Sequence, residues 1–217
     1  MPFRDRKHAG RQLALRLAEW ADSGDLINLL VLALPRGGVP VAAEVARELH
    51  APLDVLTARK ISTPVRPEAA IGAIVGEDPP LFDRRSLALL DMTEDRLGAD
   101  VARERNELHR REYLYRGSRP APSVRGRAVV LIDDGLATGL TATAALRFLR
   151  RQEPGRLVLA VPVGSPQAVA ELRREADDVV CLEQPPAFQA VSEWYEDFRQ
   201  ISDAEVVDTL HAFHATA

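Results

Sequence analysis

The sequence predicts an α/β fold: a doubly wound, mainly parallel sheet with helices on both faces. Two observations carry this. Short apolar runs recur at 29–34, 53–58, 127–133, 156–163 and 178–183, and segments of helical period stand between them. A run such as LLVLAL or RLVLAVPV is apolar at almost every position. As a strand it must be covered on both sides, which is what the crossover helices of a parallel sheet do.

In chain order, residues 5–21 read as an N-terminal helix with Leu13, Leu17 and Trp20 as its apolar stripe. The run 29–34 is the first strand. Residues 39–50 (VPVAAEVARELH) form a helix with Val41, Val45 and Leu49 on one face. LDVLTA (53–58) is the second strand. Residues 83–117 are dense in charge and read as a helical insertion. Its main helix is expected over 92–116, with Asp91 as N-cap and Glu94 three residues later. Leu97, Val101, Leu108 and Tyr115 share a stripe there with Glu104 and Arg111, so the helix is half-buried. Arg103, Glu107 and Arg111 stand four apart and read as a solvated face of paired charges. RAVVLID (127–133) is the third strand, followed by a helix over 141–151. RLVLAVPV (156–163) is the fourth, followed by a helix over 165–176 with Pro166 in its first turn. DVVCLE (178–183) is the fifth, and a short helix ends the chain. No repeat or low-complexity linker interrupts residues 1–217, which read as one domain with a core at about 29–183.

Bulk properties narrow the function. The chain has 217 residues and a formal charge of −4, which disfavours a nucleic-acid footprint. No apolar run approaches the roughly 20 residues of a membrane helix, and the charged start MPFRDRKHAGRQ lacks a secretory core. A cytoplasmic protein is expected. Cys181, the single cysteine, reads as a small core residue on the fifth strand. Only Lys7 and Lys60 are lysines among 28 basic residues, so an internal Lys60 draws notice.

Ligands of a parallel sheet sit at the carboxyl ends of its strands. The loops to read are therefore LPRGG (34–38), RKIST (59–63), DDGLATGLT (133–141) and PVGSP (162–166). In the third, a Gly-containing turn enters a helix. Exposed N–H groups and the positive helix end make an anion site, to which Thr138 and Thr141, with Thr143 as a third, add hydroxyls. It is not a Walker loop, because Gly-Lys-Ser/Thr is absent. Asp133 and Asp134 would repel a phosphate unless they face vicinal hydroxyls, a cation, or both. A ribose 5-phosphate meets that demand. A dehalogenase-like phosphatase would need its second Asp two positions on, whereas these acids are adjacent. A bare Asp turn leaves the following loop unexplained.

VVLIDDGLATGLT resembles the phosphoribosyl pyrophosphate signature of type I phosphoribosyltransferases: apolar residues, two acids, small residues, then Thr-Gly-x-Thr. FRDRKHAG, LPRGGVPVAAEVA, LDVLTARK and WYEDF together resemble a bacterial phosphoribosyltransferase-like subfamily. The resemblance implies the type I fold with a small hood formed by the N-terminal helix and about 184–217. It implies a Mg²⁺-dependent pentosyltransferase that moves the 5-phosphoribosyl group from phosphoribosyl pyrophosphate to a small nitrogenous acceptor, releasing pyrophosphate, as in nucleotide salvage. A homodimer is the family-level expectation. The alternative is a regulatory protein that binds phosphoribosyl pyrophosphate without turnover.

By the same resemblance Asp133 and Asp134 bind the ribose hydroxyls. Gly135 and Ala137, Thr138, Gly139, Leu140 and Thr141 hold the sugar and its 5-phosphate. Arg36, Gly37 and Gly38 form the pyrophosphate loop, where a non-proline cis peptide is expected near Arg36–Gly37. The physics agrees, since glycines admit close approach and Arg36 offers a planar donor fork. Arg59 and Lys60 end the second strand as an Arg-Lys pair does in adenine enzymes, with Lys60 on pyrophosphate. STPVRPEAAIGA would be a lid or its hinge, with Glu68 as a candidate acid/base residue. Trp194 or Tyr195 would stack on the acceptor, and Asp197 would hold Mg²⁺ through water. Enzymes of 6-oxopurines carry Asp just before Thr-Gly. Here that residue is Ala137, which disfavours those acceptors.

Overall fold

The computed structural model describes residues 3–22, 24, 26–63 and 66–215. Helix α1 (Arg6–Asp22) precedes β1 (Leu30–Ala33), α2 (Gly38–Glu48) and β2 (Leu53–Val55). Then come β3 (Ala58–Thr63), β4 (Arg66–Val75), β5 (Leu81–Phe82), α3 (Arg84–Leu89) and α4 (Gly98–Arg116). The chain continues through β6 (Ala128–Ile132), α5 (Leu140–Arg150), β7 (Arg156–Val163), α6 (Pro166–Leu172), β8 (Asp178–Glu183) and α7 (Asp203–Ala215). Five strands form one parallel sheet in the order β2-β1-β6-β7-β8. Among the described residues no helix is long and apolar enough to cross a membrane.

Alternation along the strands builds two cores. Val31, Ala33, Val130, Ile132, Val158 and Ala160 pack with α1, α2 and α7 on one face. Leu30, Leu32, Val129, Leu131, Leu157 and Leu159 pack with α5 and α6 on the other. This is the period of two expected of strands. It explains why the central strands are apolar throughout.

The second strand differs from expectation. It ends at Val55, and Ala58 to Thr63 belong to a separate antiparallel sheet, β3-β4-β5. Lys60 therefore does not end a strand of the parallel sheet; it pairs with Ala73 inside a hairpin. Residues 58–63 and 66–75 were not legible as a hairpin because Ala and Gly dilute the β pattern. Residues 64 and 65, and the side chain of Glu68, lie outside the described residues.

The insertion also starts later than expected. Asp91 is not an N-cap: its φ is +49°. A short 3-10 turn over Glu94–Leu97 comes first, and α4 begins at Gly98. Asp83 instead caps α3, accepting from the N–H groups of Arg85 and Ser86. Helix α4 covers the outer face of the hairpin, where Leu97 and Leu108 pack with Ile61, Ile71 and Ile74. Polar anchors fix its position. Arg105 donates to the carbonyls of Gly76 and, at 2.6 Å, of Asp78. Arg116 bridges to Asp54 at 3.1 Å and to the carbonyl of Val55. Helix α6 stops at Leu172, with Ser165 capping it through the N–H of Ala168.

Candidate active site

The loops after β1 and β6 and the hairpin strand β3 open on one cleft of about 850 Å³. Its lining includes five cations (Arg36, Arg59, Lys60, Arg103, Arg111) and three carboxylates (Glu104, Asp133, Asp134). The basic excess, with two helix N-termini, makes the cleft a site for a polyanion.

The loop after β6 is built for an anion. Gly139 sits at φ +73° as the N-cap of α5, a conformation glycine adopts without strain. A β-carbon there would also meet Leu172 Cδ1 at 3.0 Å. Among the described residues the N–H groups of Thr138, Gly139, Leu140 and Thr141 make no backbone hydrogen bond. The Thr141 hydroxyl is buried without a partner, and a buried polar atom left so is costly unless a ligand satisfies it. Thr143 is different: its hydroxyl donates to the Gly139 carbonyl at 3.0 Å inside the helix, and it does not line the cleft.

The two acids are not equivalent. The Asp133 Oδ1 accepts from the Asp134 N–H at 2.8 Å; its other oxygen makes no hydrogen bond among the described residues. Burial, and then the neighbouring charge of Asp134, push the Asp133 carboxyl well above its ordinary range, with Lys60 acting the other way. Asp134 is held from behind. Arg6 Nε lies 2.7 Å from its Oδ2, both side chains being largely buried. Its carbonyl accepts from the Tyr195 hydroxyl at 2.6 Å. Arg6 also donates to the Arg199 carbonyl at 2.9 Å and lies 3.9 Å over the Phe198 ring. Sequence reasoning missed Arg6, since only a contact spanning 128 positions reveals its role.

The loop after β1 holds a cis peptide at Pro35–Arg36, one bond before the expected place. Arg36 and Gly37 line the cleft, and their N–H groups are unpaired among the described residues. Gly38 does not line it. A β-carbon at Gly38 would lie 2.6 Å from the Ile132 carbonyl, so this glycine lets α2 pack against β6. Lys60 and Ser62 line the cleft from β3, where Lys60 makes no ion pair among the described residues.

The insertion reaches the site, which its charge pattern did not reveal. Glu104 is buried and takes Arg59 at 2.7 and 3.0 Å. Arg103 and Arg111 line the same cleft, so the expected solvated face is one wall of it. Trp194, Tyr195 and Asp197 do not line it. Tyr195 is buried against Phe3 with its hydroxyl used. Trp194 packs in the same small cluster. Asp197 is exposed and accepts from the Arg199 N–H at 3.0 Å. The aromatic of WYEDF that lines the cleft is Phe198, together with Val191. Cys181 is half-buried on β8, its thiol pushed up to about 12, mainly by burial.

Among the described residues no three His, Cys, Asp or Glu side chains cluster as a metal site. Mg²⁺ rarely needs one, because it keeps waters and binds through one or two carboxylates plus substrate phosphates. Asp133, with an unused oxygen at the cleft, fits that mode.

Known proteins carry the same framework. A Mycobacterium tuberculosis protein named "Putative phosphoribosyl transferase Rv0571c" is 43% identical over 212 residues, covering 98% of this chain and 47% of that protein. The chain thus spans about half the length of the curated relatives it matches. The crystal structure of TT1426 from Thermus thermophilus aligns at a TM-score of 0.79 and 42% identity, covering 98% of this chain and 99% of that one. The AQ2163 protein from Aquifex aeolicus, 12% identical over 95% of this chain and 85% of that one, shares the fold at a TM-score of 0.55. The model of the phosphoribosyl transferase domain matches residues 6–198, which take in both loops, the hairpin and the Arg6–Asp134 pair, and the chain belongs to that family.

Proposed function

We propose that this chain transfers the 5-phosphoribosyl group of phosphoribosyl pyrophosphate to a nitrogenous acceptor. The new bond joins the acceptor nitrogen to C1, and the broken C1–O bond leaves its electron pair on pyrophosphate. The observation that carries this reading is the loop 137–141. The N–H groups of Thr138, Gly139, Leu140 and Thr141, unpaired among the described residues, and the orphaned Thr141 hydroxyl stand beside Asp133 in a cleft rich in cations.

In this reading the loop holds the 5-phosphate, and Gly135, where a β-carbon would stand 2.5 Å from Val191 Cγ1, lets Val191 close on the loop. The free oxygen of Asp133 accepts from a ribose hydroxyl, with Asp134 completing the contact while Arg6 fixes its other oxygen. Arg36, Lys60 and the N–H groups of Arg36 and Gly37 receive pyrophosphate. Asp133 and the substrate oxygens would hold Mg²⁺, which supplies charge neutralisation of the leaving group. The chain needs no covalent nucleophile. It supplies positioning and fixed positive charge where negative charge grows. Ala137 offers the acceptor no side-chain hydrogen bond, which disfavours a 6-oxopurine. Phe198 and Val191 supply the apolar wall for a planar acceptor.

The test is pyrophosphate release from phosphoribosyl pyrophosphate and Mg²⁺ against a panel of bases and amines. Adenine, uracil or an amine is expected to release it, and hypoxanthine and guanine to release least. Tight binding with no release for any acceptor would replace this reading by a regulatory binding module.

A further inference from the structure

Asp203, the first residue of α7, gathers four side chains from two distant segments. The Tyr115 hydroxyl donates to its Oδ1 at 2.6 Å, and Arg110 to its Oδ2 at 2.9 Å. Arg36 Nη1 and Arg111 Nε stand 3.7 and 3.9 Å from that same Oδ1. Burial opposes the Asp203 charge, but Tyr115, Arg110, Arg111 and Arg36 outweigh it and hold the carboxyl below its ordinary range. Two guanidinium groups are thus drawn to one oxygen atom, one from the loop after β1 and one from the insertion helix.

Their remaining donors are idle. Arg111 Nε bonds Glu107 at 2.8 Å, but its two terminal nitrogens make no hydrogen bond among the described residues. Among the described residues Arg36 makes none through its side chain and has only the long ion pair to Asp203. Both line the cleft beside the unpaired N–H groups of Arg36 and Gly37. Across this cluster Arg36, Arg110 and Arg111 face Asp203 and Glu107, three positive charges against two. Arg111 is mostly buried, its side chain only 14% exposed, and a buried planar fork with spare donors suits a multiply charged oxyanion such as a phosphate.

We propose that Arg111 is a binding residue for the pyrophosphate leaving group, acting with Arg36, and that Asp203 is the positioning residue that holds the two forks side by side. The inference rests on the transferase reading above. It makes the insertion helix a fixed wall of the leaving-group site. As the C1–O bond breaks, its electron pair settles on a pyrophosphate oxygen within reach of both forks.

The experiment is calorimetric titration with two probes, inorganic pyrophosphate in Mg²⁺ and ribose 5-phosphate. Arg111→Gln is expected to weaken pyrophosphate about ten- to a hundredfold, the worth of one or two charged hydrogen bonds. Ribose 5-phosphate should stay within about twofold of the parent, because its loop lies elsewhere. Arg111→Lys should recover part of the loss, an ammonium lacking the fork. Asp203→Asn should weaken pyrophosphate alone, and Asp203→Glu should restore it. Parental pyrophosphate affinity in Arg111→Gln would overturn the proposal, as would equal loss of both probes with a lowered melting temperature. If the parent binds neither probe, the transferase reading fails first and this one with it.

Discussion

Asp133→Asn is expected to abolish measurable pyrophosphate release while making the folded chain more stable at neutral pH. The two effects share a cause. Burial and the adjacent Asp134 raise the Asp133 carboxyl in the native state, so the folded chain binds its proton more tightly than the unfolded chain does. A raised acid favours folding only at low pH. Its contribution is lost as pH rises from the ordinary carboxylate range through the raised value, and at neutrality the charge opposes folding. Asn can still accept the Asp134 N–H, so the loop keeps its shape. It cannot offer a charged oxygen to a ribose hydroxyl, a loss of about 1.5–3 kcal/mol, or about ten- to a hundredfold in affinity before any effect on turnover. Melting curves at several pH values check the first part: the variant should melt higher than the parent at neutral pH, and the gap should close as pH falls. A variant that melts lower at neutral pH would contradict this account of the acid.

Gly37→Ala should be nearly as damaging, for a steric reason. The backbone at Gly37 has φ −61°, which alanine accepts, so the fault lies in the side chain alone. Its β-carbon would stand 1.9 Å from Asp134 Oδ2 and 2.5 Å from Cγ. The carboxylate cannot simply swing aside, because Arg6 holds that oxygen at 2.7 Å and Arg6 is itself buried. The overpacking costs about 1–3 kcal/mol of stability. Moving the acid by an ångström should reduce pyrophosphate release about a hundredfold. Gly98→Ala is the control, since nothing lies within 4 Å of a β-carbon there. Parental release by Gly37→Ala would show that Asp134 is free to move and that Arg6 does not fix it.

How much of this was readable in the residues divides along a physical line. Strands β7 and β8 match their apolar runs end to end, and β1 and β6 lie within theirs, because burial on both faces leaves an unbroken signal. The hairpin was hidden, since AAIGAIV mixes small and large residues without the alternation of a strand and follows a segment rich in proline and charge. Asp91 misled because a capping residue is recognised by sequence, yet its backbone is left-handed and the helix starts seven positions later. The loops were legible for a local reason: Gly and Thr at a strand end need only their own neighbours to form an anion site. Arg6, Arg111 and Asp203 carried no local sign, because each acquires its role through partners far along the chain. WYEDF announced an aromatic near the cleft, but only packing decides that Phe198 lines it while Tyr195 is buried behind.

In the transferase reading, loop 137–141 and the paired acids together hold a phosphorylated ribose carrying pyrophosphate. Titration of phosphoribosyl pyrophosphate in Mg²⁺ into the parent and into Asp133→Asn/Asp134→Asn tests it most directly. Saturable binding to the parent is expected, and its loss, by at least about a hundredfold, in a variant that still unfolds cooperatively. Undiminished binding to the variant, or none to the parent, would contradict it.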